Sequence, residues 1–521
     1  MTMPPRLKEV LRRAVACLPA ILVLGLTAWV LAVFNDDFLH RDFNYDESYF
    51  VWGGWSINKG LVPYRDFLEF KPPLLFLTHA LALKLYGFSA FQYRWFFLWF
   101  PMASVLALQA SLMSRGIDKL ATLALGLALV QLWVNPRFHD TALSDSESIG
   151  LAYYFLGVAC MLAHTRLKDW LKAPGAALLA ACALSKEPFL LSSVMTIVCC
   201  FLADTHRATW RRDAVRYLKI TSIGVAVLVA GLCVWMIPTG AMGAYISMFT
   251  KYMRLYQDPA RSYCVALGRV HPTTPLNDLL LQGKQALVDY INLPTLGYLI
   301  PFAVVAVVFT ARRSPLLLAG VAVTVLLAFY SVAASNCQWM HYYLLSNNGL
   351  FFGLVIGLDS VVRQLRPRLG RYIVSGGLLA SAAFACWPRY DVQRHYMGTR
   401  AFKNPYRERI PGSFEVIAQH TTAADRIFTT GPPLIYPQTD RLSATRESTY
   451  VDEGLGFYDG ENDVQRLSGI RAQLEKNLPK VFITDPENAY RKVRHDRALI
   501  QPFLAAHNYQ QVHPNVWLRP D

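Results

Sequence analysis

The sequence lacks most of what marks a soluble metal- or nucleotide-dependent enzyme. Its nine cysteines contain no Cys-x-x-Cys pair, which removes the common metal motif, and their spacing makes no disulfide framework. Cys17, Cys160, Cys182, Cys199, Cys200, Cys233 and Cys386 fall in or beside apolar runs, where thiols behave as small hydrophobes. Only Cys264 and Cys337 fall in loops expected on the outer side, and spacing alone does not support a bond between them. There is no Gly-rich phosphate loop: Gly431-Pro432-Pro433 follows an expected strand, but no clear helix follows it, which argues against a nucleotide site. No internal repeat is visible. The basic residues before Ala14 resemble a signal peptide, yet no small-residue cleavage site follows and the apolar stretch continues past Ala28, so an uncleaved anchor is expected. Acidic residues are in deficit, 36 against 51 basic ones, for a formal net charge of +15.

What is present is apolar. Hydrophobic residues make up 54% of 521, gathered in runs such as 14–34, 220–237, 298–310 and 316–332, which are read as bilayer-spanning helices. The basic residues sit in short loops between runs: Arg6, Lys8, Arg12 and Arg13; Arg115 and Lys119; Arg166, Lys168 and Lys172; Arg207, Arg211, Arg212, Arg216 and Lys219; Arg312 and Arg313; Arg363, Arg366, Arg368 and Arg371. These are every second loop, the positive-inside pattern, so the charge reports topology and not a nucleic-acid partner. Eleven spans result: 14–34, 94–113, 120–134, 148–164, 173–185, 188–203, 218–238, 296–311, 315–334, 342–360 and 371–388. The span 173–185 is short, and a re-entrant hairpin of 173–203 is the alternative. The expected fold is an α-helical polytopic membrane protein over 1–388, followed by a small outward-facing α/β domain over 389–521. The amino terminus is placed in the cytoplasm and the tail on the periplasmic or extracytoplasmic side of the cytoplasmic membrane.

Between the first two spans, the outward loop 35–93 contains two segments, 49–55 and 74–86, that read as amphipathic helices lying in the interface; Pro72-Pro73 makes a natural start for the second. A second outward region, 239–295, carries Tyr245, Phe249, Tyr252 and Tyr256 at helical spacing, interleaved with Lys251 and Arg254. It reads as a helix resting on lipid or as a rim for a polyprenyl chain and its phosphate. In the tail, helices are expected over 412–421, 464–477 and 497–507, and strands over 426–430, 480–484, 509–512 and 516–519.

The charged motifs fall on the outer ends of spans. Asn44-Tyr45-Asp46-Glu47-Ser48-Tyr49 sets an acidic pair at the membrane surface, and Glu69-Phe70-Lys71-Pro72-Pro73-Leu74 sets a lysine against a rigid double proline. Asp46 is read either as a helix cap or, in apolar surroundings that raise a carboxyl pKa, as a general base. Lys71 either snorkels to the interface or holds a phosphate. Arg94 either anchors its span in the headgroups or binds phosphate. Asp145 and Glu147 either cap a helix or hold sugar hydroxyls or a divalent cation. Lys186-Glu187 before Pro188 reads as a self-neutralising turn or as a further phosphate contact. His341 reads as structural or as part of the site.

These residues resemble the C-type (GT-C) glycosyltransferase superfamily, in particular the protein O-mannosyltransferase-like branch and the lipid A aminoarabinose transferases. The resemblance rests on Asp46-Glu47 after the first span, Lys71-Pro72-Pro73-Leu74, Arg94 opening the next span, an acid at the start of the fourth, and His341-Tyr342 near the end of a late span. It covers residues 1–350 in order and spacing. It implies transfer of a hexose or pentose from a polyprenyl-phosphate donor, with inversion, to an extracytoplasmic lipid, glycan or protein. Asp46 would then be the base, with Glu47, Glu147 and Asp145 as further catalytic acids. Lys71, Arg94 and Lys186 would face the donor phosphate, and Tyr45, Glu69 and His341 the substrate. No organic cofactor is implied, and a divalent cation is left open. The sequence departs from the family pattern in offering two acids, Asp145 and Glu147, for one role, and in replacing the usual Lys-Gly turn by Lys186-Glu187-Pro188. A transporter or flippase of a lipid-linked sugar is the second reading. It would call for repeats and broken helices with midplane charges.

Overall fold

The computed structural model describes residues 5–34, 39, 43, 45–67, 71–88, 90–134, 143–164, 168–205, 209–252, 300–333, 343–365, 376–377, 410, 412–431, 433–446, 461–484 and 499–520. The expected span 371–388, apart from 376–377, and Cys264, Cys337 and Tyr256 lie outside them. The chain divides into two compact units: Met1–Leu39, Phe96–Gly231 and Thr273–Thr399 form one, and His40–Trp95, Leu232–Pro272 and Arg400–Asp521 the other.

The first unit is helical. Its elements are α1 (Pro5–Phe34), most of α4 (Ala90–Ser114), α5 (Lys119–Val134), α6 (Ser146–Leu162), α7 (Lys168–Ala183), α8 (Phe189–Asp204), most of α9 (Trp210–Met236), α11 (Ile300–Arg313), α12 (Pro315–Ala333) and α13 (Tyr343–Gln364). The apolar runs thus become helices close to the expected bounds. α6 packs on α7, α12 on α8 and α13, and α11 on α13. Among the described residues of the whole chain, two helices, Phe91–Ser114 and Trp210–Met236, are long and apolar enough by themselves to cross a membrane, while six further apolar helices, Cys17–Val33 and Ser146–Leu162 among them, are shorter. α7 has 16 residues, about 24 Å of helix against a hydrocarbon core of about 30 Å. α9 leaves Val215 71% and Val227 68% exposed, and α1 exposes Ile21, Leu22 and Trp29. Contiguous apolar faces of this kind are at home in lipid and costly in water.

One end of this unit carries an ionic cluster. Asp204, ending α8, takes Arg115 and, at 2.9 Å, Lys172 of α7. Asp359 of α13 takes Arg313 at 2.7 Å and Arg363 at 3.1 Å, with the Arg115 Nε 3.9 Å away. Four of the basic residues that the sequence alternation assigns to one side therefore meet on two aspartates.

The second unit joins the loop 40–95, the segment 232–272 and the tail, so its boundary differs from the sequence division at 388. α2 (Tyr45–Asn58) packs on α3 (Pro73–Tyr86). Gly53 and Gly54 make that approach feasible: a Cβ on Gly54 would lie 2.6 Å from the His79 Cβ and 2.7 Å from the Ala80 nitrogen. Residues 47–56 of α2 are buried without interruption, so this helix is packed all round and does not rest one face on the interface, as an amphipathic segment would. The loop after α2 is tied to the segment after α9. Arg65 clamps Asp66 and donates to the Thr239 carbonyl at 2.8 Å, and the Tyr64 ring lies 4.9 Å from Tyr245 on α10 (Ala241–Ser247).

The tail part of this unit carries a small sheet with flanking helices. It runs α14 (Ser413–His420), β1 (Arg426–Thr429), α15 (Ile435–Thr439), β2 (Leu442–Ser443), α16 (Glu461–Asn477), β3 (Val481–Ile483), α17 (Gln501–Ala506), β4 (Gln510–His513) and β5 (Val516–Leu518). The sheet order is β2-β1-β3-β5-β4, parallel among the first three and antiparallel from β3 onward. Phe428 and Phe482 pack with Ile470, Leu474, Phe503 and Leu504 from α16 and α17 as its core. The short helix α15 and the edge strand β2 were not expected. α15 follows Gly431-Pro432-Pro433, where the sequence shows no clear helix, but has only five residues.

Candidate functional site

Two buried acid–cation pairs stand out, one in each unit. In the second unit, Glu47 lies in the first turn of α2 and Arg94 near the start of α4. Arg94 donates to both carboxylate oxygens, Nε to Oε1 at 3.3 Å and Nη2 to Oε2 at 3.0 Å, and both side chains are 0% exposed. The Phe43 ring covers the guanidinium at 4.5 Å, a cation–π contact strengthened by the absence of water. Phe43 in turn touches Tyr93, whose hydroxyl bonds His79 Nδ1 of α3, and Phe50 of α2 lies 5.6 Å from the His79 ring. Sequence reading did not single out His79 and Tyr93. The available signal was the polar pair Thr78-His79 inside an otherwise apolar helix.

Lys71 lies just before this helix. It is half-buried, and its carbonyl accepts the Tyr64 hydroxyl at 2.8 Å. Pro72 caps α3 with φ −62° and ψ 156°, and Pro73 opens it, so the backbone that follows Lys71 is held by two prolines.

In the first unit, α6 begins at Ser146 with Asp145 in the N-cap position. The Asp145 backbone is extended, as a cap requires, but its carboxylate makes no capping bond, although the side chain is buried. Capping is therefore not what this side chain does. Glu147 ion-pairs with Lys186 at 2.7 Å, their side chains 4% and 7% exposed, and accepts the Ser146 hydroxyl at 2.8 Å. Lys186 thus reaches across from the α7–α8 turn to α6.

The side chains of Tyr45 and Asp46, and all of Glu69 and His341, lie outside the described residues. Of the expected site residues, the structure joins Glu47 with Arg94 and Glu147 with Lys186, and sets Lys71 on the aromatic packing of α2 and α3. Among the described residues, no three His, Cys, Asp or Glu side chains gather as ligands for a metal ion.

No family model matches the sequence, and no curated protein does either. Solved structures match the fold. ArnT from Cupriavidus metallidurans bound to undecaprenyl phosphate aligns with 92% of this chain and 94% of its own, at 14% identity and TM-score 0.53. The same protein in the apo state aligns with 90% and 93%, at 13% identity and TM-score 0.52. The archaeal oligosaccharyltransferase AglB from Archaeoglobus fulgidus, in complex with an inhibitory peptide and a dolichol-phosphate, aligns with 89% and 69%, at 11% identity and TM-score 0.48. The structural neighbours are GT-C glycosyltransferases, and the two ArnT structures show that the resemblance read from the sequence holds at the level of the fold.

Proposed function

We propose that the chain is a multi-pass membrane glycosyltransferase that moves a sugar from a polyprenyl-phosphate donor to an acceptor on the outer face of a cytoplasmic membrane. The observation that carries this reading is the ArnT fold over nine-tenths of the chain, one of the matched structures being bound to undecaprenyl phosphate. The exposed apolar faces of the helices and the buried acid–cation pairs in the loop 40–95 and at α6 support it.

The chemistry needs one base and one cationic pocket. An acceptor hydroxyl is a poor nucleophile until a carboxylate takes its proton in the transition state. A departing polyprenyl phosphate is a good leaving group once cations neutralise it. Asp46 is the base in this reading: it precedes Glu47 on α2, and the Glu47–Arg94 pair holds that first turn in place. Arg94 acts chiefly by fixing Glu47, since drawing a fully buried bidentate guanidinium onto a ligand would strand a buried carboxylate, at about 3–5 kcal/mol. Lys71 is then the first cation for the donor phosphate. Lys186, whose ammonium pairs with Glu147 at 2.7 Å, is the second in this reading, and Asp145 and Glu147 hold sugar hydroxyls. Glu69, Tyr45 and His341 complete the substrate contacts. The sugar is a hexose or pentose, and the acceptor an extracytoplasmic lipid, glycan or protein.

The purified protein, given radiolabelled polyprenyl-phosphate hexoses and pentoses with a membrane extract as acceptor, is expected to transfer label from at least one donor. A deletion strain should accumulate that donor and lose one glycan mass. Absence of transfer from every donor, with unchanged envelope lipids and glycans in the deletion strain, contradicts the proposal. Protein-dependent movement of the intact donor across vesicle membranes without transfer would favour a flippase instead.

A further inference from the structure

The tail touches α2. Tyr436 on α15 lies with its ring 6.2 Å from that of Trp52, and Asp440 at the end of α15 pairs with Lys59 at 2.6 Å. The ion pair is exposed and contributes little. The ring contact is different: Trp52 and Tyr436 are both buried, and the Tyr436 hydroxyl accepts the Thr429 amide of β1 at 3.2 Å, which anchors the ring to the sheet. Burial pushes that phenol up to about 12, so it stays neutral through the physiological range.

Trp52 leads inward. Its ring meets the Phe67 ring edge-on at 5.3 Å, Phe67 meets Phe76 at 5.8 Å, and Phe76 meets Tyr64 at 6.4 Å. The Tyr64 hydroxyl closes the path on the Lys71 carbonyl at 2.8 Å. One end of this aromatic column is therefore the tail sheet, and the other is the backbone of the lysine assigned to the donor phosphate. Trp52 itself lies about one and a half turns along α2 from Glu47.

We propose that the C-terminal domain is a positioning element, with Tyr436 bracing Trp52 and so holding both the first turns of α2 and the backbone at Lys71. The inference rests on the reading of Asp46 and Lys71 as base and phosphate cation, but the mechanical coupling can be measured without it. Tyr436 is a positioning residue, since it acts through Trp52 and not on the reacting atoms.

Hydrogen exchange read by mass spectrometry on the full-length protein in detergent micelles tests the coupling, with undecaprenyl phosphate as the binding probe. Tyr436→Ala should speed amide exchange in 45–58 and 71–76 by roughly threefold to tenfold, the size of one aromatic pair contact. β1 and β3 should stay protected. The same variant should bind undecaprenyl phosphate more weakly, and Tyr436→Phe, which keeps the ring but loses the bond to the Thr429 amide, should restore the larger part of both readouts. Unchanged exchange in 45–58 with a protected tail overturns the proposal. If Tyr436→Ala opens the tail itself, Trp52→Leu reads the contact from the other side: faster exchange across 433–440 supports coupling, and unchanged exchange there overturns it. Absence of any sugar transfer by the wild type would sink the glycosyltransferase reading and leave the exchange result to stand by itself.

Discussion

Glu47–Arg94 and Glu147–Lys186 are both buried carboxylate–cation pairs near helix starts, yet they are built to behave differently. The first is bidentate, wholly buried and roofed by Phe43. In the second, the Lys186 ammonium meets Glu147 at 2.7 Å with both side chains buried, and the Ser146 hydroxyl donates to the same carboxylate. A planar guanidinium held by two bonds is a fixture, whereas an ammonium on a four-carbon stem can swing to a new anion while its former partner keeps a hydroxyl. Acidic–basic proximity alone does not name a ligand site, and the geometry of each pairing sets what its loss should cost.

Arg94→Ala should produce the largest effect on stability, about 3–5 kcal/mol, because it leaves Glu47 charged and buried. Thermal melting of the solubilised protein would measure it, and Arg94→Lys should recover only part, since lysine cannot bond both oxygens. Lys186→Ala should cost less, because Glu147 keeps the Ser146 hydroxyl as a donor. A melting loss equal to that of Arg94→Ala would erase the distinction between the pairs. Lys71→Ala should weaken undecaprenyl phosphate binding by about tenfold, one charge-assisted contact, with the melting curve unmoved. Unchanged affinity would return Lys71 to an interfacial anchor. The smallest effect concerns Asp66, which Arg65 and the Val62 amide hold below the ordinary carboxyl value of 3.8. Its folded pKa being lowered, it contributes stability above about pH 4 that is lost as pH falls through the lower folded value. Asp66→Asn should flatten the melting temperature slightly between pH 5 and 3, and an unaltered pH profile would show the clamp to be inert.

Much of the helical fold was legible because long apolar runs speak directly of helices. Arg115, Lys172, Arg313 and Arg363 were assigned to one side by alternation, and they do meet. What alternation cannot show is that Asp204 and Asp359 gather them, since those contacts join helix ends far apart in sequence. The tail strands were legible from short β-branched and aromatic runs, whereas β2, of two residues, and α15, of five residues with Pro437 inside, are too short to leave a periodic signal. α2 was read as interfacial because tryptophan and tyrosine favour that depth. The Gly53-Gly54 pair, which lets α3 close on it, was the missed sign of packing. In the site, the residue types and loops were legible, but the partners were not: Glu47 finds Arg94 47 positions away, and Asp145 looks like a cap by position yet does not cap.

The central claim is that Asp46 is the base for sugar transfer, and one substitution tests it most directly. Asp46→Asn keeps size and hydrogen bonding while removing basicity. With a donor the wild type accepts, the account predicts that its kcat falls on the order of 10²–10⁴-fold, with undecaprenyl phosphate binding and melting temperature retained. Near wild-type transfer by a stably inserted Asp46→Asn protein would contradict it.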